Sequence, residues 1–176
     1  QLVLVVVPRK PERFEEVARF IADAGFACVR RSTRPDGTRV ATDSAGGSVV
    51  LGDTMGELRK FYSLADVVFV GRSLVPLGGS DPMEVAALGK PIVAGPHMEN
   101  FESPMSLLRG ADAIRVVDTA DDLPSVIGEL LADSSARARL GAAAREVVLR
   151  NQGATQRTAD RLVCLIGETG RVRHGR

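Results

Sequence analysis

Residues 78–97 read GGSDPMEVAALGKPIVAGPH, and they are the stretch best equipped for chemistry. Two glycines lead into an Asp-Pro step, a glutamate follows three residues after the aspartate, and an apolar segment closes at Gly89. Pro91 then opens a short apolar strand that ends in Gly95, Pro96 and His97. In an open α/β sheet, loops of this kind gather at the carboxyl ends of the strands, where a helix start offers free N–H groups to an anion. The chemistry indicated is the binding of an anionic ligand. The same residues also have structural roles. Asp81 suits a helix N-cap with Pro82 at the first helical position, and Glu84 then falls where a capping-box carboxylate does. Gly78 and Gly79 suit either a turn or a close approach of ligand to backbone. His97 is either a loop residue or a ligand contact. These readings do not exclude one another.

A second candidate lies after the first strand, where Pro8, Arg9, Lys10 and Pro11 form a tight polar loop. Arg9 carries a fixed fork of donors suited to phosphate or carboxylate; taken alone, it equally suits a surface salt bridge. Absent motifs narrow the chemistry. The first strand is not followed by G-x-G-x-x-G, there is no G-x-x-x-x-G-K-[ST], and no G-x-S-x-G elbow or metal-ligand spacing occurs. Dinucleotide dehydrogenases and P-loop NTPases are disfavoured, and no cofactor or metal is expected.

The elements that must position these residues alternate between strand and helix. Residues 2–7 are a continuous apolar run of the kind buried on both faces of a parallel sheet. A run of this type at the very start leads to the expectation that the chain is a piece of a longer protein. Glu12 begins a helix with Phe14, Val17, Ala18, Ile21 and Ala24 on one face, stopped by Gly25. Residues 26–29 and 48–51 read as strands, separated by a polar, Gly- and Pro-containing loop expected to be mobile. Asp53 or Thr54 is the expected cap of a helix carrying Leu58, Phe61 and Tyr62. Residues 67–70 read as a strand, 100–108 as helix, 113–117 as strand, and 121–131, 134–150 and 154–166 as helices. This alternation predicts an α/β fold with a Rossmann-like, doubly wound parallel sheet. One domain over 1–167 is expected, followed by a disordered tail over 168–176.

The 176 residues carry a net charge of only +1, which gives no electrostatic case for nucleic acid as a partner. Arg30, Arg31, Arg34 and Arg39 read as a solvated edge and loop. Cys28 and Cys164 lie in apolar contexts and read as reduced core thiols. No apolar run approaches the ~18 residues of a membrane span, no signal peptide is visible, and the domain is expected to be soluble.

Three segments in order carry a family resemblance: residues 4–13, the GDTMGEL of residues 52–58, and residues 70–97, with Asn151, Gln152, Gly153 and Ala154 continuing the match. Together they resemble the C-terminal half of the 3-deoxy-D-manno-oct-2-ulosonic acid (Kdo) transferases of lipopolysaccharide synthesis. The resemblance implies a GT-B glycosyltransferase, in which two Rossmann-like domains face each other across a cleft and the C-terminal one binds the activated sugar. It further implies CMP-Kdo as donor and a lipid A precursor as acceptor. The CMP part would be held by Pro8, Arg9, Met55, Gly56, Asp81, Glu84, Gly95, Pro96 and His97. In that assignment Glu84 meets the ribose hydroxyls, Arg9 the nucleotide, and helix-start N–H groups the phosphate. The general base, acceptor site and membrane anchor would lie in an N-terminal half outside this chain. The fragment would then be inactive alone, and the full enzyme would work at the cytoplasmic face of the inner membrane.

The chain departs from the family pattern at four positions. Ser80 and Asp81 stand where His-Asn is usual, Lys10 where His is usual, and Arg72 where Gly is usual. Two other readings stay open beside the resemblance: a GT-B domain using a UDP-sugar, and a non-catalytic Rossmann-like module that has kept the scaffold and lost the site.

Overall fold

The computed structural model describes residues 2–34, 47–153 and 158–164. The chain divides into two compact units, Gln1–Ala65 and Asp66–Arg176.

In the first unit, strand β1 (Leu4–Val6) leads through a single 3-10 turn into helix α1 (Phe14–Asp23), followed by β2 (Ala27–Arg30), β3 (Ser48–Leu51) and α2 (Leu58–Leu64). Glu15 and Glu16 occupy the first turn of α1, where carboxylates suit the positive end of the helix. Gly25 ends the segment with φ of 84°. All pairing is parallel, in the order β1-β3-β2. Ile21, Val49 and Leu51 form the core, with Val6, Val17, Ala18 and Cys28 packed on it. The apolar stripe expected on α1 therefore faces the sheet.

The first strand departs from expectation. Leu4 is 55% exposed, whereas Leu51 in the neighbouring strand is 0% exposed. Among the described residues of its sheet β1 pairs with β3 alone, and Leu2, Val3, Leu4 and Val5 are all exposed, so its apolar run is not buried on both faces.

In the second unit, β4 (Val68–Val70), α3 (Met83–Ala87), β5 (Ile92–Ala94), α4 (Glu102–Gly110) and β6 (Arg115–Val116) precede α5 (Leu123–Ala132) and α6 (Ser134–Asn151). The sheet is parallel in the order β4-β5-β6. Its central strand is fully buried, with Ile92, Val93 and Ala94 all at 0% exposure. Removing the Ile92 and Val93 side chains from water stabilises by about 1.5–3 kcal/mol each. Val93 joins Val117, Leu130 and Leu140 in one core cluster. A capping box between Thr119 and Asp122 precedes α5, and the Asp133 carboxylate accepts from Ala136 N at 2.9 Å to start α6.

The α/β class and parallel pairing are as expected, with the strands distributed over two three-stranded sheets, one per unit. Residues 158–164 are helical, within the range expected for the last helix. Cys28 is half-buried against the first unit's core, but Cys164 is exposed, so its reading as a core thiol does not hold; Leu162 and Val163 beside it are exposed as well. Arg39, most of the polar loop and the expected tail over 168–176 lie outside the described residues. Among the described residues no helix is long and apolar enough to cross a membrane.

Candidate functional site

The candidate residues fall in both units, always at the carboxyl ends of strands. In the first unit Pro8 and Arg9 follow β1, while Met55 and Gly56 follow β3. Val6 pairs with Leu51 in register, and Gly52 N donates to Val6 O at 2.8 Å, so these two loops leave adjacent parallel strands. Arg9 is exposed and makes no hydrogen bond or ion pair among the described residues. Met55 is 68% exposed, and Gly56 takes a left-handed φ of 79°.

The rest of the GDTMGEL loop is tied down. The Asp53 carboxylate is fully buried and accepts from Arg30 Nε at 2.6 Å, Ser32 N at 2.8 Å and Ser32 Oγ at 2.6 Å. Burial would push this carboxyl up, but the Ser32 and Arg30 hydrogen bonds outweigh it and hold it below the usual aspartate value. Glu57 accepts from the Thr54 hydroxyl, from Lys60 Nζ at 3.1 Å and from Arg31 Nη2 at 3.2 Å. These bonds, the one from Thr54 first, lower it from 4.5 to about 2.

Arg30 and Arg31 are thus not a solvated edge. Parallel pairing of β2 with β3 sets Arg30 opposite Leu51, two residues before Asp53, and the ion pairs follow. Asp53 and Thr54 do not cap α2 either. Its N-cap is Glu57, without a side-chain cap, because both side chains are engaged elsewhere in the loop.

In the second unit the loops after β4 and β5 are joined through Ser73. Its hydroxyl, at 0% exposure, donates to Val70 O and accepts from Gly95 N at 2.8 Å. Its carbonyl accepts from His97 N at 2.9 Å. A Cβ on Gly95 would lie 2.2 Å from Ser73 O, a backbone atom that cannot swing aside, so only glycine fits there. Gly78 and Gly79 pack against Asn100 and Met98, whose side chains occupy the space a Cβ would take. The close approach expected of a ligand at these glycines is made by the protein's own next loop. Pro96 is exposed and His97 partly so, with Nδ1 of His97 lying 3.1 Å from Glu99 Oε1.

Helix α3 is only five residues long. The Asp81 carboxylate accepts from Met83 N at 2.8 Å, but the N-cap of the helix is Pro82, without a side-chain cap, so Asp81 closes the turn just ahead of the cap expected of it. An asparagine oxygen would make the same bond, which explains how aspartate fits a position where the resembling family has Asn. The bond also occupies the first N–H that the short helix offers to an anion. Glu84 makes no capping-box bond; it is exposed and has no partner among the described residues. Arg72 takes a left-handed φ of 63°, consistent with a position where glycine is usual, and its Nη2 donates to Leu77 O at 2.6 Å.

Sequence reasoning missed Arg30, Arg31, Ser73, Met98 and Asn100. The paired arginines ahead of a loop with two acids were a visible signal; the burial of Ser73 had none. A groove of about 360 Å³ lined by Leu88, Gly89, Arg145 and Leu149 includes no candidate residue. No group of three or more metal-ligating side chains occurs among the described residues.

No family model matches the chain. It is 40% identical over 162 residues to a 3-deoxy-D-manno-octulosonic acid transferase of Haemophilus influenzae, covering 92% of this chain and 36% of that protein. To the Bordetella pertussis protein of the same name it is 36% identical over 166 residues, covering 94% and 37% respectively. The chain therefore spans just over a third of the length of these curated relatives. Among solved structures, the C-terminal CMP-Kdo binding domain of WaaA from Acinetobacter baumannii matches with a TM-score of 0.75 and 35% identity, over 84% of this chain and 74% of that one.

Proposed function

Starting from the fact that this chain belongs to the Kdo transferase family and corresponds to its C-terminal domain, we propose that it is the donor-binding part of a GT-B enzyme that transfers Kdo from CMP-Kdo to a lipid A precursor. The observation that carries this reading is a division of labour among the charges in the loops. Asp53 and Glu57 are consumed in holding their loop, while Arg9 and Glu84 are exposed and unpartnered among the described residues. Arg9 is suited to the nucleotide phosphate and Glu84 to the ribose hydroxyls, which it would accept from. Pro8, Met55, Gly56, Asp81, Gly95, Pro96 and His97 complete the CMP contacts. Residues 1–167 act together as this donor domain.

The reaction is a displacement at the anomeric carbon. The bond to the CMP phosphate oxygen breaks as the acceptor hydroxyl oxygen bonds to the sugar, and CMP leaves with the electron pair. This chain contributes stabilisation of the departing phosphate, through Arg9 and loop N–H groups. The hydroxyl proton goes to a general base in the N-terminal half, which also carries the acceptor site and the attachment to the inner membrane's cytoplasmic face. The domain alone therefore binds nucleotide weakly and does not turn over.

A calorimetric or NMR titration with CMP, with UDP as control, tests the reading. CMP-selective binding should perturb Arg9, Met55, Gly56 and Glu84, and Arg9→Ala or Glu84→Gln should each weaken it about tenfold. Preference for UDP would move the assignment to a UDP-sugar enzyme. Failure of the full-length protein to bind either nucleotide would overturn it.

A further inference from the structure

Two adjacent arginines at the end of β2 reach the two carboxylates that bracket the exposed part of the GDTMGEL loop. Arg30 bridges Glu15 on α1 to the buried Asp53. Arg31 lays its fork across both oxygens of Glu57, with Nε 3.2 Å from Oε2 and Nη2 3.2 Å from Oε1. Thr54 and Lys60 complete the coordination of Glu57. Between these anchors Met55 and Gly56 stand exposed with no side-chain bond of their own.

We propose that Arg30 and Arg31 are positioning residues for nucleotide binding. They hold and neutralise Asp53 and Glu57, so that the loop presents Met55 and Gly56 in one geometry and without net negative charge toward an anionic ligand. The proposal rests on the donor-binding reading above. Neither arginine touches the ligand; both act through the carboxylates. A planar fork matters for Arg31 because it bonds two oxygens at once, which a lysine ammonium of the same charge does less well. Neutralisation matters because an unpaired carboxylate beside a phosphate repels it, and in a partly desolvated loop salt screens that repulsion poorly.

The test uses the whole chain with two independent readouts. In the ligand-free protein, the Met55 methyl and Gly56 amide NMR signals should shift or broaden in Arg30→Gln and Arg31→Gln, while those of Gly95 and His97 stay in place. In CMP titrations, Arg31→Gln should weaken binding about tenfold, Arg31→Lys by less, and the double variant Arg31→Gln with Glu57→Gln should recover most of the loss, since it removes the exposed charge together with its partner. A merely structural role predicts weakened binding that tracks thermal stability and no recovery in the double variant. If neither the wild-type chain nor the full-length protein binds CMP yet the loop signals move in the variants, the donor reading fails and only the arginines' hold on the loop stands. If both folded variants leave Met55 and Gly56 unmoved, the positioning role is overturned, whatever CMP does. Should Arg30→Gln fail to fold, Arg30→Lys and the Arg31 variants carry the test.

Discussion

The loop after β3 and the loops after β4 and β5 have the same task, to present residues at the carboxyl end of a parallel sheet, and they do it by different physics. The first is held by charge: Asp53 on Arg30 and Ser32, Glu57 on Arg31, Lys60 and Thr54. The others are held by a buried hydroxyl, backbone hydrogen bonds and a glycine whose hydrogen faces a carbonyl. Ion pairs respond to pH and can be retuned by single changes of charge. A close-packed, neutral contact responds to neither and tolerates almost no added volume. The difference places adjustability in the first unit and rigidity in the second.

The largest effect that would sharpen this comparison comes from adding one methyl group. Gly95→Ala sets a Cβ 2.2 Å from Ser73 O, and relieving that overlap should cost about 3 kcal/mol. Thermal or urea unfolding measures it, and a variant as stable as wild type would show that the contact between the two loops gives way freely.

Ser73→Ala comes next. It leaves the buried Gly95 N–H without its acceptor, at a cost of about 2 kcal/mol. In the same variant His97 amide exchange should accelerate while that of Met55 does not. Equal acceleration in both loops would break the proposed separation of mechanisms.

The smallest effect is the response to acid. Because the folded Glu57 carboxyl is lowered to about 2, its contribution is fully present above its ordinary value of 4.5 and is lost as pH falls through the folded value. Asp53, also lowered, acts in the same direction. Following the Glu57 side-chain carboxyl by NMR should give a midpoint well below 4.5, with Met55 and Gly56 loosening over the same range and Gly95 staying fixed. A midpoint at 4.5 would mean that the bonds from Thr54, Lys60 and Arg31 do not form in solution.

Much of the site was legible because it is written in local chemistry. Asp81 before Pro82 announces a turn into a helix, and the structure places its oxygen on Met83 N, one residue ahead of the Pro82 N-cap. Gly25 and Gly89 mark helix ends and take positive φ. The runs at 48–51 and 92–94 are strands because continuous β-branched and small apolar residues suit a buried parallel sheet. The ordered motifs around Arg9, residues 52–58 and residues 78–97 pointed to the family that the relatives bear out. What misled was context. The run at 2–7 has the composition of a central strand, yet Leu2, Val3, Leu4 and Val5 are exposed, and Cys164 has apolar neighbours in sequence yet is exposed.

Local sequence marks which segments are helix and which are strand, to within a few residues at their ends, and which loops carry polar groups, because each depends on residues within one or two turns of each other. That Arg30 and Arg31 meet Asp53 and Glu57, separated from them by 23 and 26 positions, and that Ser73 closes on Gly95 across 22, comes from the tertiary fold. Those contacts are set by which strands pair and in what register. A shift of one residue in the pairing of β2 with β3 would turn Arg30 to the opposite face of its sheet and displace the loops that carry the other groups, and no local periodicity records that choice.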